Sequence, residues 1–599
     1  MIGWKRSQLF WGGLLSVIFF IPILSLGNEY VNGIITAKYF RLAEVAGIGL
    51  LLMWVVAWNR NFRFCFKWVD VGVVLFALCG VGSYLLNDFF GELQTLLLFL
   101  LMGLYFFCRC LGGWKISQKT IFTSVLLIAG SVEAIWGFLQ VYGFTDQYHA
   151  LYRLTGSFFN PGPYSGFLAV ILPVALHTLL GPKSRHRGDK IVYGLGLICF
   201  IAIILVLPAG MSRSAWLAAG VGCGVVLARQ KRFREYVKSG MGRLGSAGKR
   251  WIWSVVVLLC LFIATGLYVM KKDSVDGRLL IWKMDVQVIC SEPLLGVGMG
   301  KYPGVLGKMQ ADYFEQGPVD PREEYVADAP EYGFNEFLQL GGEFGLVVLV
   351  LFLWMVGVPA VRIFRRRQEQ TGGLSGALAA YLVFACFSYP LHMLPMTMLF
   401  VLLFAWSVNV GMKGIRLRRW AGQVMLLLIT VWVVAAAWQI KEKEPAYKAW
   451  KTAKAYFRQG DYQGALERYA PLFLSLSDQP AYLFEFGECQ SQCGQSGNAI
   501  SILSWAAAIS ADPMIYNKLG KNYQMEKQYD QAESAYLRAA SMVPNRIYPL
   551  YLLALLYREM GDMEKAREMA QKVIDKEPKV WSPAVEEMKA EMKQWIITK

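Results

Sequence analysis

Residues 191–229 read IVYGLGLICFIAIILVLPAGMSRSAWLAAGVGCGVVLAR. Two apolar runs of helix length, 191–208 and 213–229, flank a short turn, and the only charges are Arg213 in that turn and Arg229 at the end. A helix in the core of a soluble protein seldom runs this far without a charge, whereas a bilayer core requires ~20 apolar residues per helix. Eleven further runs repeat the signature, at roughly 9–27, 42–58, 69–86, 93–111, 120–142, 163–181, 251–270, 343–361, 374–389, 394–412 and 420–438. With 55% hydrophobic and only 17% charged residues, the chain reads as all-α: a polytopic helical membrane domain of about 12–13 spans over 1–440, then an α-solenoid over 441–599. The first run follows Lys5 and Arg6 and could pass for a signal peptide. The alternation of charged loops works only if it is retained as a span.

The formal net charge of +17 is a topology signal and not a nucleic-acid footprint. Lys and Arg concentrate in alternate loops: Lys5 and Arg6; Arg60, Arg63 and Lys67; Arg109, Lys115 and Lys119; Lys183, Arg185, Arg187 and Lys190; Arg229 through Arg250; Arg362 through Arg367; and Lys413 through Arg419. Such loops stay cytoplasmic. The N-terminus is therefore expected inside, and everything after about residue 438 outside. No nucleic-acid partner is expected. The cysteines show no metal-ligand spacing, and Cys489 and Cys493, one helical turn apart, are awkwardly placed for a disulfide.

Residues 445–579 repeat with a period of about 34 residues. Prolines close the units at Pro480, Pro513, Pro544 and Pro578. A turn and a small residue recur at matching offsets: Gly460-Asp461-Tyr462 with Ala465, Gly494 with Ala499, Lys527-Gln528-Tyr529 with Ala532, and Gly561-Asp562 with Ala566. This resembles the tetratricopeptide repeat, in which each helix pair closes only against its neighbour. Four units imply a concave groove for a protein or peptide partner, or else a spacer. Acids and bases nearly balance in this tail, so charge points to no partner.

One long loop, roughly 271–342, breaks the hairpin pattern and is expected outside, with a short helical stretch near Arg278–Ile289. Loops of that length are commonly functional. Three outer segments each present an arginine against the positive-inside bias: Arg153, Arg213 and Arg278. A guanidinium offers phosphate a planar fork of donors and stays charged, so a clamp for a lipid diphosphate is one reading, with the hydroxyl of Ser212 beside Arg213. The alternative is snorkelling to headgroups or pairing with Asp273 and Asp276.

Four stretches carry a family resemblance. Gly156-Ser157-Phe158-Phe159-Asn160-Pro161 resembles a Gly-x-Phe-x-Asn-Pro stretch, and Ser212-Arg213-Ser214-Ala215-Trp216-Leu217-Ala218 a Ser-Arg-x-x-Trp/Leu-x-Ala helix start. Arg278-Leu279-Leu280-Ile281-Trp282 with Pro293-Leu294-Leu295-Gly296-Val297-Gly298 is similar to an Arg-x-x-x-Trp…Pro-x-x-Gly-x-Gly segment. Asn335-Glu336-Phe337-Leu338-Gln339 with Glu343-Phe344-Gly345 resembles a His-Asn-x-x-Leu-Gln…Glu-x-Gly motif. In this order, around one outer loop, they resemble the O-antigen ligase and polymerase superfamily over roughly 150–350, and some members carry tetratricopeptide extensions.

The resemblance implies a multi-pass protein of the bacterial cytoplasmic membrane with its repeat domain extracytoplasmic. It implies transfer of a glycan from a polyprenyl-diphosphate donor to an acceptor hydroxyl at the outer face, without metal or cofactor. The acceptor would be lipid A core, a growing polysaccharide or a protein hydroxyl. Arg213 and Arg278 would stabilise the leaving diphosphate, with Arg153, Asn160, Ser212 and Asn335 contacting substrate. Phe334 stands where ligases of the family carry a histidine, so proton transfer falls to His392, Glu336 or Asp328. If 334–336 is helical, Glu336 points about 200° away from Phe334 and does not replace the histidine by position. His392, or an acid from 323–336, is then expected to approach Arg213 and Arg278. Rival readings are a lipid-linked-glycan transporter and a non-catalytic scaffold.

Overall fold

The structure is a computed structural model that describes residues 15–16, 18–59, 62–111, 118–149, 151–181, 187–317, 319–366 and 369–597. Lys5, Arg6, Arg60, Lys115, Lys183, Arg185, Arg367 and the start of the first expected span lie outside these residues.

Among the described residues the fold is all-helical apart from a two-stranded antiparallel ribbon, Cys65–Phe66 with Ile415–Arg416. Among the described residues nine helices are long and apolar enough to cross a membrane: Gly33–Trp58, Trp68–Leu86, Glu92–Cys110, Thr120–Val141, Pro161–Leu180, Asp189–Gly210, Glu336–Arg365, Leu394–Gly411 and Arg419–Arg458. Arg213–Arg229, Ser246–Met270 and Gly372–Ala385 occupy three more of the expected runs. Central helices such as Glu92–Cys110 and Leu394–Gly411 are buried almost all round, while Ile198, Leu205, Leu258, Phe262 and Val350 face outward. Apolar surface of that extent needs a lipid solvent.

The outer loop departs from the expected short helical stretch. It folds into three helices, Lys272–Ser291, Tyr302–Glu315 and Pro321–Val326. Buried Leu280, Met284, Val288, Tyr302 and Leu306 form a core of their own. The acids of 271–342 mask this periodicity in the sequence. The helix after the loop begins at Glu336, seven residues before the expected run, and breaks at Gly345 (φ 80°, ψ 170°). A Cβ at Gly345 would collide with the Leu294 carbonyl oxygen. The peptide groups around the break are satisfied by Pro293–Gly298: Val297 N donates to Gly342 O and Gly298 N to Glu343 O, both at 2.9 Å, and Leu346 N donates to Pro293 O at 2.8 Å. The Pro-x-x-Gly-x-Gly stretch is thus a splint that fixes the short segment Glu336–Phe344.

The repeat array begins within the last membrane helix. Arg419–Arg458 runs unbroken through residue 440, and its C-terminal part pairs with Tyr462–Tyr469 as the first repeat. Three pairs follow: Pro480–Gln492 with Ser496–Ile509, Pro513–Met525 with Tyr529–Met542, and Tyr548–Met560 with Met563–Asp575; Pro583–Ile597 caps the end. Ala465, Ala499, Ala532 and Ala566 are each fully buried at 0% exposure, as close helix approach demands. Cys489 and Cys493 are free thiols.

The array packs on the outer loop. Gln310 Nε2 donates to Asp328 O and Met542 O, Arg538 pairs with Asp312 and Glu315, and Asn545 Nδ2 donates to Glu324 O, Tyr325 O and Ala327 O. A Cβ at Gly304 would collide with the Ala508 carbonyl oxygen. Gly304→Ala and Asn545→Ala should therefore loosen the array from the loop, Asn545→Ala by roughly 0.5–1.5 kcal/mol. Faster amide exchange at 302–315 and 529–546, with membrane insertion unchanged, is the expected result. Unchanged exchange in both variants would mean that the docking rests elsewhere.

Candidate functional site

Three cations gather where the turn 209–213 meets the start of the outer loop. Arg213 opens its helix behind Ser212, Lys271 follows the helix Ser246–Met270, and Arg278 lies two turns into Lys272–Ser291. Lys271 Nζ donates to Met211 O at 3.0 Å, which ties the two segments together. Burial, with Arg213 next, pushes Arg278 down to about 10, so it remains charged at neutral pH. Burial also lowers Lys271, with Arg213 and Arg278 adding to it. Burial is the larger cause in both, and the added lowering by Arg213 is what a like charge nearby produces. Among the described residues neither Lys271 nor Arg278 forms an ion pair with a carboxylate. Asp273 and Asp276 bond Arg322 instead, which removes the pairing alternative for Arg278.

Arg278 lies over an aromatic wall. Its guanidinium carbon is 5.1 Å from the Phe334 ring centroid. Phe334 meets Tyr389 edge-on at 5.2 Å, and Tyr389 stacks on Tyr332 at 4.1 Å. Phe334 has φ 50°, a left-handed conformation costly for a bulky side chain. The turn holds it there: Gly333 N donates to Gln339 Oε1, and Asn335 caps the following helix by accepting from Phe337 N and Leu338 N. The helical offset assumed for Phe334 and Glu336 does not apply, because the helix starts only at Glu336. Behind the turn, buried Asp285 accepts from the Tyr302 hydroxyl, and burial pushes its carboxyl up to about 8.

Beyond the wall sits His392, in the turn Pro390–His392, with its ring centroid 5.8 Å from that of Tyr332. Its Nδ1 is 3.0 Å from Glu336 Oε1 and its Nε2 is 2.9 Å from Glu343 Oε1. Glu336 Oε2 accepts from Leu391 N, and Gln339 Nε2 donates to Glu343 Oε1. Burial alone would lower the imidazole, but Glu343 and Glu336 outweigh it and hold His392 well above its ordinary value. The two carboxylates thus favour the charged form of His392, while the Gln339 amide nitrogen also lies 2.9 Å from His392 Nε2; the three groups form one coupled proton system. An apolar cavity of about 270 Å³ opens beside it, lined by Phe76, Leu97, Leu101, Phe352, Phe400 and others, with Tyr332, Glu343 and His392 at its polar end.

The raised value has a consequence for stability. The unfolded imidazole titrates near 6.5 and the folded one well above it. The ion pairs thus contribute fully below about 6.5 and are lost only as pH rises through the folded value. The melting-temperature gap between the unmutated protein and His392→Gln should be widest in mild acid and narrow in alkali. A gap that widens with rising pH would contradict the charged state.

The expected residues thus divide. Arg213 and Arg278 come together, as do His392 and Glu336, and the aromatic wall joins the two groups. Asn160 caps its helix by accepting from Gly162 N at 2.8 Å. Ser212 Oγ lies 3.3 Å from Ser214 Oγ. Arg153 is exposed in the loop before Asn160, and no described contact joins it to the cluster. Asp328 is an exposed partner of Arg546 at 3.8 Å. Sequence reasoning missed Lys271, although a lysine directly after an apolar run, at the start of the loop 271–342, stands out as Arg213 does. It also missed Glu343 as a partner of His392, because the break at Gly345 decides where that carboxylate points.

Residues 197–353 match the family model described as O-antigen ligase, and residues 523–592 match that of the tetratricopeptide repeat. The first match contains Arg213, Lys271, Arg278, Glu336 and Glu343. No curated protein matches the chain. Solved structures similar to it include YrrB, a tetratricopeptide-repeat protein with an unusual peptide-binding site (17% identity, 29% of this chain and 87% of that one, TM-score 0.23). MamA from Desulfovibrio magneticus RS-1 shares 18% identity over 29% of this chain and 89% of its own, at a TM-score of 0.21. The Cut9–Hcn1 hetero-tetramer of the APC/C shares 10% identity over 93% and 90%, at 0.23. Scores this low carry no argument about fold or function.

Proposed function

We propose, for a chain that joins an O-antigen ligase domain to a tetratricopeptide-repeat extension, that it moves a glycan from a polyprenyl diphosphate to an acceptor hydroxyl at the outer face of the bacterial cytoplasmic membrane. The observation that carries this reading is that half-buried Arg278 and exposed Lys271, neither with a carboxylate partner among the described residues, stand across one aromatic wall from the Glu336–His392–Glu343 group.

The chemistry follows from that arrangement. As the anomeric bond breaks, negative charge grows on the diphosphate oxygen, and Arg213, Lys271 and Arg278 oppose it where it develops. The acceptor oxygen forms the new bond to the anomeric carbon and loses its proton. In this reading the proton passes to a carboxylate of the Glu336–His392–Glu343 group, while the polyprenyl diphosphate leaves as the anion. The rings of Phe334, Tyr389 and Tyr332 lie between the two groups and give the site an apolar wall. Asn160 and Asn335 act as helix caps that shape the site. Ser212 stands at the N-cap position beside Arg213, its hydroxyl 3.3 Å from that of Ser214 and making no capping bond. Lipid A core or a growing polysaccharide is the preferred acceptor, since the apolar cavity beside His392 suits a substrate embedded in the membrane. The repeat groove, if occupied, holds a protein partner.

Purified protein in vesicles, given a polyprenyl-diphosphate glycan and candidate acceptors, provides the test. Appearance of the glycan on a lipid or glycan acceptor supports the reading. Movement of the intact donor between leaflets without transfer would assign the chain to the transporters. Reporter fusions after Lys308 and after the repeat array test the sidedness, and both are expected outside. A cytoplasmic signal from either would move the site to the wrong face for this reaction.

A further inference from the structure

At the opposite end of the helices that carry Arg213 and Lys271 lies an amphipathic helix without a partner. Arg213–Arg229 ends at Arg229, which is buried against Thr371 and the carbonyls of Ile363 and Phe364. Gln230 alone separates it from the helix Lys231–Gly242, and Arg243 to Gly245 lead straight into Ser246–Met270. Connections this short hold the helix within a residue or two of the membrane surface.

No residue of Lys231–Gly242 is buried. Phe233, Tyr236 and Val237 are exposed at 42%, 79% and 43%. Plotted at 100° per residue, these three and Met241 fall within about 140° of arc. Arg232 and Arg243 flank one edge of that arc, Arg234 and Lys238 the other, and the helix's single acid, Glu235, faces away. Among the described residues Arg232, Arg234, Lys238 and Arg243 form no ion pair; Lys231 meets Glu235 at 3.8 Å. Trp251 and Trp253, exposed on the next helix, sit where aromatic residues mark a headgroup layer.

We infer that residues 231–243 form an interfacial helix that docks on anionic phospholipid headgroups and anchors the two helices whose far ends present Arg213 and Lys271. The aromatic face enters the acyl boundary and the flanking cations meet the phosphates. A soluble acidic protein would suit the cations but leave Phe233, Tyr236 and Val237 facing water. The inference does not depend on which membrane face is cytoplasmic, because it concerns only the leaflet that the helix touches.

The full-length protein in nanodiscs of phosphatidylcholine, with and without one-third phosphatidylglycerol, provides the test by amide hydrogen exchange. Exchange across 231–243 is expected to slow about tenfold in the anionic discs, and high salt should erase the difference. Combined substitution R232Q/R234Q/R243Q with Lys238→Gln should also erase it. Phe233→Ser with Tyr236→Ser should speed exchange in both lipids. Equal exchange in the two lipids, or a difference that survives removal of the charges, would overturn the inference.

Discussion

Arg278→Ala is expected to slow glycan transfer by about 10²–10³-fold, the range seen when one preplaced donor to a developing oxyanion is removed, while the protein inserts and folds normally. Arg278 makes no ion pair with a described carboxylate, and its ring contact with Phe334 is a modest one, so truncation removes little of the fold. Arg213→Ala should behave alike. Arg278→Lys should recover only a small part of the rate, since an ammonium offers a point charge in place of a planar fork. Lys271→Ala should cost less, because two arginines remain. Initial rates with a lipid-linked glycan in vesicles measure all four. Normal rates from both alanine variants at the arginines would remove the clamp from the mechanism.

Glu343→Gln is expected to have an effect of comparable or greater size, about 10²–10⁴-fold. It keeps the shape of the side chain but removes the carboxylate next to His392 Nε2, 2.9 Å away. His392→Gln should approach the same loss without adding to it, because the groups share one proton system. Because two carboxylates hold His392 well above its ordinary value, the rate–pH profile of the unmutated protein should show no inflection near 6.5. Glu343→Gln should bring the inflection down toward that range. An inflection near 6.5 in the unmutated protein would mean that His392 works as a neutral base instead.

The sequence disclosed what repeats or what opposes a bias. The polytopic helical class followed from the length of apolar runs, of which nine are candidate spans among the described residues, the repeat array from a period with alanines at fixed offsets, and Arg213 and Arg278 from arginines that interrupt the alternation of charged loops. What it withheld depends on contacts between distant segments. The three helices of 271–342 close on a small core of their own and on the repeat array, so their periodicity is diluted by acids that answer Arg322 and Arg538. His392 could be named as a candidate, but its partners arise only because the helix from Glu336 breaks at Gly345 and brings Glu336 and Glu343 to either side of the ring. Phe334 reads as a lost histidine in sequence. In space it is the surface against which Arg278 rests.

The helix Arg419–Arg458 is continuous from the membrane domain into the repeats, with Pro445 leaving out one backbone hydrogen bond at the junction. Its 40 residues, with Pro445 inside, span about 60 Å, from beside the ribbon at Ile415–Arg416 through the first helix of the first repeat, and Tyr30 grips it next to Pro445 by a 2.7 Å hydrogen bond to Glu444. No slack tether separates bilayer from solenoid, so the azimuth of the array is set by residue count. One residue inserted near Lys441 would swing the repeats by about 100°, away from Gly304 and Gln310 on the loop; seven would nearly restore the phase but lift the array by about 10 Å. Length changes in this stretch are therefore constrained in angle and in height at once.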